Sequence, residues 1–170
     1  MDAARVSGLG PPDVETIGSG YGHSCASLAD GTVECWGWNS YDSYYSTSAG
    51  GQLGDGRSVD SPVPVVALGV AGAVEVSVGW YHTFALFGDG SVASWGDNEA
   101  GQLGDGSLAT SAVAIELPDL VGVVHVSGGW MHSCAILGDG TAWCWGGNGH
   151  GQLGDGLNTA TTEPVAVAGW

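Results

Sequence analysis

Three histidines recur at one position of a repeated pattern. His23, His82 and His132 each stand seven residues before an Asp-Gly pair, at Asp30-Gly31, Asp89-Gly90 and Asp139-Gly140. Imidazole is the side chain best suited to move a proton or bind a metal near neutral pH. Three of them could line one axis as a metal ring, or one could act as a general base. Recurrence favours a different role, because an active site needs one constellation rather than the same residue in every unit. The pattern points to structural histidines whose ring nitrogens are bonded to neighbouring backbone. His125 and His150 lie outside the pattern and have no partner visible in the sequence.

The four cysteines form two pairs ten residues apart, Cys25 with Cys35 and Cys134 with Cys144. Each pair flanks an Asp-Gly turn. A three-residue turn over Ala29-Asp30-Gly31, with Gly31 left-handed, pairs Leu28 with Thr32. Cys25 and Cys35 then fall opposite each other, at a separation a disulfide can bridge. The middle unit replaces both members together, by Phe84 and Ser94, as a bonded pair requires. Two disulfides are expected, each contributing about 2–3 kcal/mol for so short a loop; four buried thiols are the alternative. Two cysteines per unit do not complete a four-ligand zinc site. Gly-Asp-Gly lacks the alternating acidic ligands of a calcium loop. No nucleophile elbow, phosphate loop or metal motif occurs, so no catalytic residue, cofactor or metal is predicted.

The elements that hold these residues follow from the repeat. Gly-Gln-Leu-Gly-Asp-Gly begins at Gly51, Gly101 and Gly151, and Trp-Gly pairs follow each Asp-Gly at Trp36, Trp95 and Trp145. Val74, Val76 and Val78 alternate with Glu75 and Ser77, a strand period. Two short apolar runs joined through an Asp-Gly turn make a hairpin. Further short strands are expected at Val65 to Leu68, Ile115 to Leu117 and Val165 to Val167. Four short strands per unit and no helical stripe predict an all-β chain of propeller blades.

The segments His-x-x-x-x-x-x-Asp-Gly-x-x-x-x-Trp-Gly-x-Asn and Gly-Gln-Leu-Gly-Asp-Gly together resemble the regulator of chromosome condensation repeat. The resemblance covers nearly the whole chain. It implies a β-propeller, in this family typically of about seven blades. The family's namesake binds chromatin and promotes nucleotide exchange on a small GTPase, but the strong acidity argues against the chromatin role here and no residue supports the exchange role. A secreted β-lactamase inhibitor of the same architecture implies that such a fold can serve as a binder. Gly79-Trp80-Tyr81-His82-Thr83 and Gly129-Trp130-Met131-His132-Ser133 are similar to the Gly-Trp-Arg-His-Thr motif of the family's plant ultraviolet-B photoreceptor. The arginine is absent, since Gly22, Tyr81 and Met131 stand there, so a charge-held dimer interface is not implied.

The register divides the chain into blade one (1–61, with an insertion at 39–50), blade two (62–111) and blade three (112–161). Residues 162–170 are then a surplus strand, a further copy of a weak first strand at Arg5 to Leu9. Three blades fall short of the four to eight or so with which propellers close. The chain is therefore expected to form an open arc completed by another copy. Self-assembly head to tail through the blade faces and the terminal strand gives a ring or a filament. The alternative is a fragment of a seven-bladed propeller that binds a protein, as an inhibitor or exchange-factor-like module.

The charge bounds the partners. Eighteen acidic residues against two arginines give a formal net charge of −16. Such a surface repels phosphate backbones, which need clustered cations, so no nucleic-acid partner is expected. No apolar run is long enough for a transmembrane helix, so no membrane insertion is expected. Disulfides and strong acidity together suggest an extracellular or cell-surface location with no leader visible.

Interface candidates come from residues the repeat leaves aromatic or exposed. Tyr21, Trp80 and Trp130 form a row two residues before the repeated histidines. Aromatic residues of this kind anchor protein contacts. Tyr41, Tyr44 and Tyr45 sit among small polar residues in the insertion, a composition like that of a binding loop. Val165, Val167 and Trp170 belong to the terminal strand. The sequence predicts a non-catalytic interaction protein.

Overall fold

The computed structural model describes residues 14–40 and 50–169, and it holds strands and turns with no helix among them. Blade one is built from β1 (Val14–Ser19), β2 (His23–Leu28), β3 (Val33–Gly37) and β4 (Ser61–Val66). Blade two comprises β5 (Ala73–Val78), β6 (His82–Phe87), β7 (Val92–Gly96) and β8 (Ser111–Glu116). Blade three comprises β9 (Val123–Gly128), β10 (His132–Leu137), β11 (Ala142–Gly146) and β12 (Thr161–Ala166). Each sheet is four-stranded and antiparallel, ordered as its strands follow in the chain. The strands β1, β5 and β9 also contact one another from blade to blade, so they form the inner edge of the arc.

The all-β class, the four-stranded units and the partial propeller match the sequence expectation. The allocation of strands does not. The segment at Val65 was placed first in blade two, yet β4 is hydrogen-bonded to β3, with Cys35 opposite Val65. In the same way β12 pairs with β11, Cys144 facing Val165, and closes the third sheet. It is therefore not a surplus strand. Strand period alone cannot decide this, because a strand between two units reads identically as the last of one or the first of the next. Its expected first copy, Arg5 to Leu9, lies outside the described residues, as do Tyr41, Tyr44, Tyr45 and Trp170.

The core lies between blades rather than within them. One apolar cluster joins Cys25, Val33, Cys35 and Leu53 of blade one to Val76, Ala85 and Trp95 of blade two. A second joins Phe84, Leu86 and Val92 of blade two to Val126, Ala135 and Trp145 of blade three. This explains why His82-Thr83-Phe84-Ala85-Leu86 is buried on both strand faces. Blade two is covered on both sides; the equivalent strand of blade three is covered on one.

The hexamer is tied down by one asparagine per blade. Asn39, Asn98 and Asn148 are buried, and each Oδ1 accepts the backbone N–H of Leu53, Leu103 or Leu153 at 2.9–3.0 Å. Each Nδ2 donates to Asp55, Asp105 or Asp155 at 3.0–3.2 Å. These aspartates are turn residues, each carboxylate also accepting the backbone N–H two residues on, from Arg57, Ser107 or Leu157. Asn39 makes the same bonds as its counterparts, so it belongs to the repeat, and the inserted residues start after it.

Candidate functional site

Two junctions of identical pattern join the three blades. Between blades one and two, the Trp95 indole N–H donates to the backbone oxygen of Gln52 at 3.0 Å. The Thr83 hydroxyl donates to the same oxygen at 2.9 Å. His23 Nε2 lies 2.9 Å from Thr83 Oγ1. Because that hydroxyl proton is committed to Gln52, the histidine must donate through Nε2. Between blades two and three, Trp145 and Ser133 each donate to the Gln102 oxygen at 2.9 Å, and His82 Nε2 meets Ser133 Oγ at 2.9 Å.

His23 and His82 are thus structural. Their partners are hydroxyls of the next blade, not neighbouring backbone, because each of these two rings reaches across a junction that no single unit contains. Burial drives the pKa of both His23 and His82 down to about 3. Nδ1 of each is buried without a hydrogen-bond partner, so a second ring proton would have no acceptor. His132 is less covered, and burial lowers its pKa as well.

The two end faces hold the halves that the junctions would use. Blade one presents Ile17, 63% exposed, where Val76 and Val126 are 5% and 1% exposed at the internal junctions. On the same face Trp36 and Ser24 are half-buried, while Trp95, Trp145, Thr83 and Ser133 are fully buried. Trp36 occupies the repeat position of Trp95 and Trp145, but within one chain no blade buries it. Blade three presents an apolar cavity of about 330 Å³ lined by Cys134, Ile136, Cys144, Leu153 and Val167. Its Gln152 is exposed, in contrast to buried Gln52 and Gln102.

Both disulfides form, Cys25–Cys35 and Cys134–Cys144, each with Cα atoms 4.0 Å apart. The hairpin places the cysteines in direct register, with Leu28 N–H donating to Thr32 O at 2.9 Å and Gly31 at φ 81°. Asp30 shapes this turn by accepting from the Thr32 hydroxyl and N–H at 2.7 and 2.9 Å, bonds that hold its carboxyl below the usual range. The first disulfide belongs to the same apolar cluster as Trp95, at the junction of blades one and two. Blade two fills that space with Phe84, whose ring meets Trp145 edge-on at 5.8 Å, and with Ser94, which donates to Leu103 O at 3.0 Å.

The predicted aromatic row is contiguous across the arc. Ring centroids of Tyr21 and Trp80 are 4.5 Å apart, and those of Trp80 and Trp130 are 4.8 Å apart. The rows align because each blade repeats one turn, in which Gly20, Gly79 or Gly129 donates its N–H to the following histidine's carbonyl at 2.8–2.9 Å. Tyr21 and Trp130 remain 53% and 59% exposed. Trp38 and Tyr81 extend the patch, with rings 5.9 Å apart. Sequence reading missed both, since neither recurs. Gly22 hints at Trp38: a Cβ there would come within 2.6 Å of the Trp38 ring.

Val165 and Val167 lie on β12 and just beyond it, and Val167 lines the open cavity. His125 has a partner after all, Glu75 of the neighbouring inner strand, at 2.9 Å. His150 is exposed. Among the described residues no cluster of potential ligands could hold a metal, and no helix is long and apolar enough to cross a membrane.

The regulator of chromosome condensation (RCC1) repeat matches at residues 14–42, 73–102 and 123–152, and a second form of it at 47–86 and 89–136. The chain is 33% identical over 94 residues to the ultraviolet-B receptor UVR8 of Arabidopsis thaliana, covering 54% of this chain and 19% of that protein. It is 34% identical over 84 residues to the protein RCC1 of Candida albicans, covering 49% and 18%. Yeast RCC1 (Prp20), solved bound to Kap60, superposes with a TM-score of 0.75 at 21% identity, over 91% of this chain and 37% of that one. Human WBSCR16 superposes with a TM-score of 0.71 at 24% identity, over 91% and 39%. The chain thus spans about a fifth of the length of these sequence relatives and under two fifths of the solved propellers. With repeat matches over more than half its length and the propeller fold throughout the described residues, the chain belongs to the regulator of chromosome condensation repeat family.

Proposed function

We propose that this chain is a non-catalytic interaction module whose two end faces join copies head to tail, into a ring or a filament. The observation that supports it is the mismatch in cover between the ends and the internal junctions. Ile17 and Trp36 on one end are exposed or half-buried, whereas their counterparts Val76, Val126, Trp95 and Trp145 are buried at the internal junctions, and the other end keeps an open apolar cavity. Exposed apolar faces of this kind seek partners. Two chains supply six blades, within the range of about four to eight at which propellers close. The two disulfides suit an oxidising, extracellular setting.

A second reading rests on length. The chain spans under two fifths of similar propellers, as a segment of a longer propeller would, and its exposed aromatic face then serves a protein partner. Sedimentation across micromolar concentrations separates the two. Head-to-tail joining predicts masses above one chain. It also predicts stronger association as salt is raised, because each copy carries a net charge of −16 and salt screens the repulsion. A single-chain mass at every concentration and salt level overturns the joining reading.

A further inference from the structure

We infer that one defined lock makes the join: Ile17, Ser24 and Trp36 of one copy seat in the open cavity of blade three of the next, on Gln152, His132 and the Cys134–Cys144 disulfide. This rests on the head-to-tail reading above and specifies its contact. Trp36 Nε1 and Ser24 Oγ donate to the Gln152 backbone oxygen, and His132 Nε2 donates to Ser24 Oγ.

The chain contains this lock twice already. Trp95, Thr83, Gln52 and His23 make one instance, and Trp145, Ser133, Gln102 and His82 the other, with every bond at 2.9–3.0 Å. The end faces carry the same residue types in the same register, Ser24 opposite Trp36 on adjacent strands just as Thr83 lies opposite Trp95 and Ser133 opposite Trp145.

Glycine shows where the indole goes. A Cβ on Gly54 would come within 2.8 Å of Trp95 Nε1, and one on Gly104 within 2.6 Å of Trp145 Nε1. At those positions the indole needs a residue without a side chain. Gly154 is the third of the set, and its nearest neighbour is only Val167 Cγ1, at 3.1 Å. The space an indole occupies twice is open a third time. The cavity beside it, about 330 Å³, has a disulfide in its lining. That is the surface blade one presents to blade two, where Cys25 Sγ lies 3.9 Å from Thr83 Oγ1. Blade three therefore offers a seat of the kind Trp95 fills, and Trp36 is its counterpart on the opposite end.

A head-to-tail lock can be split between two variants. Trp36→Ala spoils one end and leaves the cavity intact. Ile136→Asp places a charge in the cavity, at a residue already 44% exposed, and leaves Trp36 intact. Each variant alone should associate at least about thirtyfold more weakly than the wild type, as expected for loss of a central buried anchor. Mixed in equal amounts, they should form a one-to-one pair at concentrations where each alone is a single chain. Trp38→Ala, on the aromatic face, should associate like the wild type. Circular dichroism spectra matching the wild type establish that the variants are folded. A wild type that stays a single chain overturns both the joining reading and the lock. A wild type that associates while Trp36→Ala and Ile136→Asp associate equally well overturns the lock alone. Variants that fail singly and also fail when mixed overturn the head-to-tail pairing of these two faces.

Discussion

Trp95→Ala is expected to lower the unfolding free energy by about 3–5 kcal/mol, the range for removing a buried tryptophan. Trp95 is fully buried, packs in the cluster that joins blades one and two, and donates to Gln52. Truncation opens a cavity and removes one donor from that oxygen, leaving Thr83 as the other. The informative comparison is Trp36→Ala. Trp36 occupies the same position of the repeat but has no blade packed against it within the chain. Its loss should cost well under half as much in single chains. Guanidinium melts of both variants, at dilution where copies do not associate, check the difference. Equal costs would mean that the indole works within its own blade, and the junction account would fail.

Acid should unfold the protein through its buried histidines. His23 and His82 have folded pKa values of about 3, lowered by burial, against an unfolded value of 6.5. The unfolded state therefore binds more protons between these limits. Stability is complete above about pH 6.5 and falls as pH drops toward 3, by up to about 1.4 kcal/mol per pH unit for each histidine. Asp30, Asp89 and Asp139, with carboxyls held low by the following Thr or Ser, add a loss of the same sign at lower pH. His82→Gln keeps a donor near Ser133 and removes a titrating group. Between pH 4 and pH 6 its stability should change with pH by about one proton less than that of the wild type. An unchanged slope would show that His82 is not held neutral by folding.

The parts of this fold legible in the sequence are those set by local geometry. An Asp-Gly turn fixed the hairpin register, and the register fixed the disulfides, so Cys25 and Cys35 could be paired from spacing alone. Three identical hexamers fixed the number of blades. What the sequence hid lies between units. The ownership of β4, β8 and β12 depends on pairing across a boundary that strand period cannot mark. The partner of His23 is 60 residues away in Thr83, and nothing near His23 signals it. Trp36, Trp95 and Trp145 look equivalent as residues and differ only because blade one has no blade packed against Trp36 within the chain. Trp38 and Tyr81 complete the aromatic face from variable positions within the repeat, where the other units carry different residues.

The proposed role depends on whether the end faces of this chain meet. Electron microscopy of the purified chain above its association concentration tests that directly. The account predicts closed rings or filaments whose blades run on without a break, three to a chain. Isolated three-bladed arcs, or pairs held through the aromatic face with both end faces bare, would contradict it.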